Sequence, residues 1–220
     1  MHKTVQNLIN IQNLIKSKQS VLKNNKIIPR IIAVSKTFKL NNILPLIEYG
    51  HTDYGENKVQ EAIEKWSEIK SNNNKIKLHL IGKLQTNKVK TALKLFDFIH
   101  SIDNEKLAKK IANEQEKQNL KPKLFIQVNI GNESQKNGIH VSKLDGFYNF
   151  CKELSLDVVG IMCIPPIDLD PEFSFSRMSN LKEKMNIREL SMGMSSDYLN
   201  AIKYNSTFLR IGSEIFGSRI

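Results

Sequence analysis

Two distant parts of this chain carry residues that could act on one ligand. The stretch RIIAVSKTF, Arg30 to Phe38, sets Lys36 behind the apolar run Ile31, Ile32, Ala33 and Val34. On an alternating strand Ile32, Val34 and Lys36 share one face. An amine held among apolar walls and other cations loses its proton more readily and attacks carbonyl groups. Taken alone, Lys36 also reads as a lysine whose stem passes the strand end into water. Towards the other terminus, SMGMSSDYLNAI reads as strand, tight turn and helix. Ser195 and Ser196 fall where the helix begins, with Asp197 in its first turn. Such a start offers unpaired N–H groups to an anion. STFLRIGSEIFG then supplies Arg210, Gly212 and Ser213. Gly212 permits close backbone approach, and Ser213 adds a hydroxyl. An ordinary serine cap, a turn glycine and a surface salt bridge for Arg210 are the plainer alternatives.

The elements that must position these residues follow from hydrophobic period. Short strand candidates, most of them apolar and β-branched and the second a weak one, occur at Ile31–Lys36, Thr52–Asn57, Ile76–Ile81, Phe98–Ile102, Leu124–Ile130, Val158–Cys163, Leu190–Met194 and Phe208–Ile211. Helical patterns lie between them. NKVQEAIEKWSEIK aligns Val59, Ile63, Trp66 and Ile69, and VSKLDGFYNFCKEL aligns Leu144, Phe147, Cys151 and Leu154. Eight such alternations predict one α/β domain over residues 1–220, a (β/α)8 TIM-type barrel with an extra N-terminal helix. An open doubly wound sheet is the alternative, but no GxGxxG follows the first strand. Barrel sites sit at the C-terminal strand ends, and phosphate commonly binds in the loops after strands seven and eight. Strand one closes against strand eight, which would set Lys36 beside the Ser195–Ser196 and Gly212–Ser213 loops. A small ligand with both an aldehyde and a phosphate suits that arrangement, and pyridoxal 5′-phosphate (PLP) is one. Arg210 shares a strand face with Gly212 and would approach the pyridine nitrogen, opposing its protonation.

The segments AVSKTF, YGENKVQEA, LHLIGKLQTNK, SID, QVNIGNESQKNGI, GIMCIPP, SMGMSSDYLNAI and STFLRIGSEIFGSR stand in an order spanning nearly the whole chain. In that order the sequence resembles the pyridoxal phosphate homeostasis protein family, itself similar to the N-terminal barrel of alanine racemase. The resemblance implies a Schiff base to PLP on Lys36. It implies phosphate contacts from Ser195, Ser196, Gly212 and Ser213, and a ring-nitrogen contact from Arg210. It places Asn57 and His79 near the cofactor. His79, at the start of an apolar strand, reads equally as a hydrogen-bonded core histidine. Small departures are Tyr54 for a phenylalanine, Lys58 for an aromatic residue, Asn205 for a glycine, and NESQK, which carries Lys136, for the usual loop.

Function classes follow. The expected role is intracellular PLP homeostasis without an established reaction, with amino acids or PLP-dependent apoenzymes as partners. The alternative is a PLP-dependent amino-acid racemase. That chemistry needs a second base opposite Lys36. The chain ends at FGSRI, directly after the eighth strand, so no second domain is expected to bring one. A third class, nucleic-acid binding, rests on the net charge of +11 alone. The lysines are spread along the chain and no basic–aromatic interleaving accompanies them. No HExxH or paired-histidine spacing suggests a metal. Cys151 and Cys163 form no CxxC pair and are expected as free, buried thiols. No apolar run spans a membrane and the N-terminus reads as a helix, so a cytoplasmic monomer is expected.

Overall fold

β-branched runs flanked on both sides by amphipathic helices bury both strand faces, which favours a parallel sheet. The computed structural model describes residues 1–22, 27–133 and 135–218. Ser134 of the NESQK loop and Arg219 of the last motif lie outside them. Among the described residues the strands are β1 (Arg30–Val34), β2 (Asp53–Glu56), β3 (Lys77–Leu80), β4 (Phe98–Ile102), β5 (Lys123–Asn129), β6 (Ile139–His140), β7 (Val158–Cys163), β8 (Glu189–Met194) and β9 (Phe208–Ile211). They pair in the order β4-β3-β2-β1-β9-β8-β7-β5, and a β4–β5 pairing closes the circle. The two-residue β6 only extends the tip of β5. The barrel therefore has eight parallel strands, as the alternation predicts.

The helices are α1 (Lys3–Val21), α2 (Leu40–Glu48), α3 (Val59–Asn72), α4 (Val89–Leu95), α5 (Glu105–Gln118), α6 (Leu144–Glu153), α7 (Pro171–Lys184), α8 (Tyr198–Lys203) and α9 (Ser213–Phe216). No helix of the described residues is long and apolar enough to cross a membrane. The extra helix α1 buries Val5, Leu8, Ile11 and Ile15 and packs on α2, α8 and α9. Its Asn7 amide donates to the Ile215 carbonyl at 3.0 Å. Helices α5, α7 and α8 are each followed by an asparagine at positive φ: Asn119 at 50°, Asn186 at 51° and Asn205 at 59°. Asparagine tolerates the left-handed region better than other non-glycine residues. The departure at Asn205 thus keeps the backbone conformation a glycine would supply.

Each strand sends alternate residues inward and outward. Outward residues such as Ile31, Ala33, Leu78, Ile99, Ile126 and Leu209 join the large core under the helices. Inward residues Ile32, Val34, Phe98, Phe125, Val159, Met162 and Phe208 form a second cluster in the barrel lumen. That lumen also holds polar groups, His79, His100, Ser191 and Arg210, all buried. Space for the Phe125 ring comes from Gly160 on the neighbouring strand. A Cβ built there would lie 2.4 Å from Phe125 Cε1 and 2.6 Å from the Glu189 carbonyl oxygen. Gly160→Ala is expected to cost about 1–3 kcal/mol by overpacking. Urea unfolding of the variant beside the parent measures it, and an unchanged midpoint refutes this account of the lumen.

Candidate functional site

The first strand differs from its predicted span of Ile31–Lys36. β1 ends at Val34, and Lys36, half-buried, sits in the turn beyond it. The reason lies on the helix side of the barrel. Ser35 N–H still reaches the Gly55 carbonyl at 3.0 Å, and its hydroxyl donates to Glu56 Oε1 at 2.7 Å. Lys65 Nζ donates to the Ser35 carbonyl at 2.9 Å and to Glu56 Oε1 at 3.0 Å. Trp66 Nε1 adds a third bond to the same oxygen, at 2.9 Å. Thr37 takes φ of 68° and donates its N–H to Glu61. Positive φ on a β-branched residue is strained, and such strain persists only where neighbours impose it. Lys36 is therefore flanked by two residues pinned to α3. Glu56 faces α3 and serves as this anchor.

Three loops meet at the C-terminal end of β1. Gly212 follows β9, and a Cβ built on it would lie 3.4 Å from Val34 Cβ and 3.5 Å from the Val34 carbonyl oxygen. Ser195 follows β8, and its Oγ accepts from Gly212 N–H at 3.2 Å and Glu214 N–H at 3.5 Å. Two backbone donors thus converge on one acceptor position beside β1. Phe38 stacks on Phe216 at 4.9 Å between centroids, joining the Lys36 loop to α9. Ser196 and Ser213 are exposed at this end. The helix after Ser195 begins later than predicted. Asp197 is its cap residue, and its carboxylate turns back to accept from Met194 N–H at 2.6 Å.

Arg210 points into the lumen. Nη1 donates to Ser191 Oγ and Nη2 to the Cys163 carbonyl, both at 2.8 Å. Burial lowers the guanidinium's pKa, opposed by Cys163 and Asp197. Asn57 lies past β2 with Gly82 packed against its backbone, on the edge of a cavity of about 440 Å³ that also meets Lys83 and Gln85. Across the mouth Lys83 Nζ donates to Asn137 Oδ1 at 3.0 Å. Asn129 holds its own loop through Glu133, which pairs with Lys136 at 2.8 Å. His79 stands apart from this group, inside the barrel, with Nε2 on Asp53 at 2.9 Å and Nδ1 on His100 at 3.0 Å. Cys151 and Cys163 are free and buried, and burial pushes each thiol up to about 12.

The profile of the alanine racemase N-terminal domain matches residues 7–220. The pyridoxal phosphate homeostasis protein of Pasteurella multocida is 36% identical, with 97% of each chain covered. That of Aquifex aeolicus is 34% identical over 86% of this chain and 87% of its own. The chain belongs to the pyridoxal phosphate homeostasis protein family. Among solved structures, PipY of Synechococcus elongatus is 31% identical and covers 92% of this chain and 100% of its own. It matches with a TM-score of 0.80 without PLP and 0.77 with PLP bound. An alanine racemase of Clostridium difficile, 14% identical, shares the fold at a TM-score of 0.75, over 99% of this chain and 57% of that one. Within the family frame, Tyr54 in place of phenylalanine keeps its ring against Trp66 and satisfies its hydroxyl on the His51 carbonyl at 3.1 Å.

Residues that sequence reasoning missed are Glu61 and Lys65, which pin the Lys36 turn with Glu56, and Ser191, which holds Arg210. Glu61 and Lys65 stand four apart on one helix, a spacing that reads as an ordinary surface pair. Removing the buried charge with Glu56→Gln is expected to cost about 1.5–3 kcal/mol, the worth of charge-assisted hydrogen bonds. Chemical denaturation checks it, and a cost below about 0.5 kcal/mol, the ordinary surface value, would deny Glu56 its anchoring role.

The buried histidines set a second expectation. Burial lowers His51, His79 and His100 below the ordinary 6.5, against pull from Asp53 on the first two; Arg30 and Arg210 add to the lowering at His100. Asp53 is lowered to about 2: burial opposes ionisation, but His79, Arg30 and Thr52 outweigh it. Both partners being lowered describes a carboxylate accepting from a neutral imidazole, not an ion pair. Histidines held neutral stabilise the fold fully above 6.5, and that contribution falls as pH drops towards their folded pKa values. Asp53 adds stability that is fully present above its ordinary 3.8 and is lost as pH falls towards about 2. Stability from urea unfolding should therefore decline from pH 7.5 to 5. His100→Gln should be less stable at pH 7.5 yet decline less steeply, and equal slopes would contradict this assignment.

Proposed function

We propose that the protein binds pyridoxal 5′-phosphate at the C-terminal mouth of the barrel, joined to Lys36 through a Schiff base, and acts in PLP homeostasis rather than as an enzyme. The observation that carries this reading is the convergence of the Gly212 and Glu214 N–H groups on one acceptor position, with Gly212 against Val34, two residues before Lys36. A phosphate oxygen suits a point where backbone donors already meet, and charged acceptors there form the stronger hydrogen bonds. Further support comes from the relatives named for PLP homeostasis and from PipY with PLP bound.

In this reading Lys36 supplies the amine, and the anchored Ser35 and Thr37 hold it at the rim. Gly212, Ser195, Ser196 and Ser213 receive the phosphate. Arg210 meets the ring nitrogen, with Asn57 beside the ring. PLP supplies an electrophilic aldehyde and a ring that can accept electrons from a bound amine. A guanidinium cannot give up its proton at neutral pH, so Arg210 leaves the ring nitrogen unprotonated and disfavours transamination. The barrel then holds a reactive aldehyde away from stray amines, in a cytoplasmic monomer that releases it to apoenzymes or takes amino acids at its mouth.

Borohydride reduction followed by peptide mapping tests the reading. A pyridoxyl label on Lys36 is expected, and a label confined to any other lysine overturns it. In the same assay Gly212→Val should retain less PLP than Ser213→Ala, because it blocks a backbone approach while the serine change removes one hydroxyl.

A further inference from the structure

The barrel lumen contains an unbroken line of polar side chains, of which the proposed binding site uses only the last, Arg210, directly. It begins at the N-terminal end, where Arg30 on β1 pairs with Asp53 on β2. Asp53 Oδ1 meets His79 Nε2 at 2.9 Å, and Thr52 Oγ1 donates to its other oxygen, also at 2.9 Å. His79 Nδ1 meets His100 Nε2 at 3.0 Å, and His100 Nδ1 meets Ser191 Oγ at 3.0 Å. Ser191 Oγ accepts from Arg210 Nη1 at 2.8 Å. The line crosses from β2 to β3, β4, β8 and β9 and ends two residues before Gly212. Phe98 stacks on His79 at 4.4 Å and Phe125 on His100 at 4.1 Å, so each ring is held in plane.

With both histidines neutral, the two ends fix the protons between them. Arg210 can only donate, so Ser191 Oγ accepts from it, and its own proton is available to a His100 Nδ1 that carries none. Asp53, an ionised carboxylate, can only accept, so His79 carries its proton on Nε2. His79 Nδ1 is then an acceptor, and His100 must carry its proton on Nε2. One arrangement satisfies all four contacts with both histidines neutral, which agrees with the effect of their burial. Among the described residues, no buried side-chain nitrogen or oxygen of the line is left without a partner. A fully satisfied buried network rigidifies what it holds, whereas a broken one leaves costly unpaired groups.

We propose that Asp53, His79, His100 and Ser191 are positioning residues that orient the Arg210 guanidinium towards the cofactor through one directed hydrogen-bond line running the length of the barrel. The proposal rests on the reading of Arg210 as the ring-nitrogen residue. It assigns His79 to the support of Arg210 rather than to contact with PLP. It also makes Asp53, at the far end of the barrel, a determinant of the cofactor's environment.

Two measurements test it. The first needs no cofactor: long-range ¹⁵N–¹H spectra of the histidine-labelled protein at pH 7. Both His79 and His100 are expected as Nε2–H tautomers with unprotonated Nδ1. An Nδ1–H tautomer at either overturns the line. The second compares PLP titrations and absorbance spectra of the parent, Asp53→Asn, Ser191→Ala and the core variant Ile111→Val. Asp53→Asn and Ser191→Ala should each weaken PLP retention about tenfold, the scale of one lost hydrogen bond to a charged group, and shift the visible band in the same direction. Ile111→Val, which only trims a buried side chain on α5, should lower stability and leave the band in place. Folded Asp53→Asn and Ser191→Ala proteins with the parent's band and retention overturn the positioning role. A parent protein with no borohydride-reducible band overturns the cofactor reading and the role towards the ring with it, while the tautomers still decide whether the line exists.

Discussion

The pairing of β1 with β9 is the contact on which the rest depends. Its register runs from Arg30 opposite Phe208 to Ala33 opposite Ile211. It closes the barrel and brings two loops from opposite parts of the chain to one rim. Because Gly212 carries no side chain, its loop lies directly on Val34. A parallel sheet permits no short connection between such strands. In the closed barrel every strand between them contributes to the spacing of these loops.

Around that rim the protein uses two kinds of support. On the outside, Glu56, Glu61 and Lys65 tie the turn that carries Lys36 to α3. On the inside, the guanidinium of Arg210 is held by Ser191 and the Cys163 carbonyl. Burying a charge this deeply is unfavourable unless each donor is matched. An apolar lumen of the same volume would be at least as stable, so Arg210 is not explained by stability alone. The aromatic floor of Phe98, Phe125 and Phe208 supplies the packing that the polar line interrupts.

The architecture extends beyond this family. The barrel is common to a racemase of low identity and to relatives named for PLP homeostasis. A fold of this kind hosts many activities through its loops. What distinguishes this chain is therefore sought at the strand ends and in the lumen, at Ser35–Thr37, Ser195–Asp197 and Arg210–Ser213.

Much of the fold was legible in the sequence because its signals are local. Runs such as Ile31–Val34 and Val158–Cys163 announce strands buried on both faces, and the stripe through Val59 and Trp66 announces a helix. The order of the motifs carried the family. The barrel closure and the convergence of the loops near Lys36 and Gly212 followed by topology, since strand one of a closed barrel must meet strand eight. Tertiary structure alone decided the rest. The end of β1 before Lys36 depends on Glu56 and Lys65 reaching across from other elements. The late start of α8 depends on Asp197 turning back to Met194. The standing of His79 was open in the sequence because a histidine in an apolar strand shows no sign of its partners. Asp53, His100, Ser191 and Arg210 lie on four other strands, and only closure of the barrel brings their polar atoms within hydrogen-bonding distance.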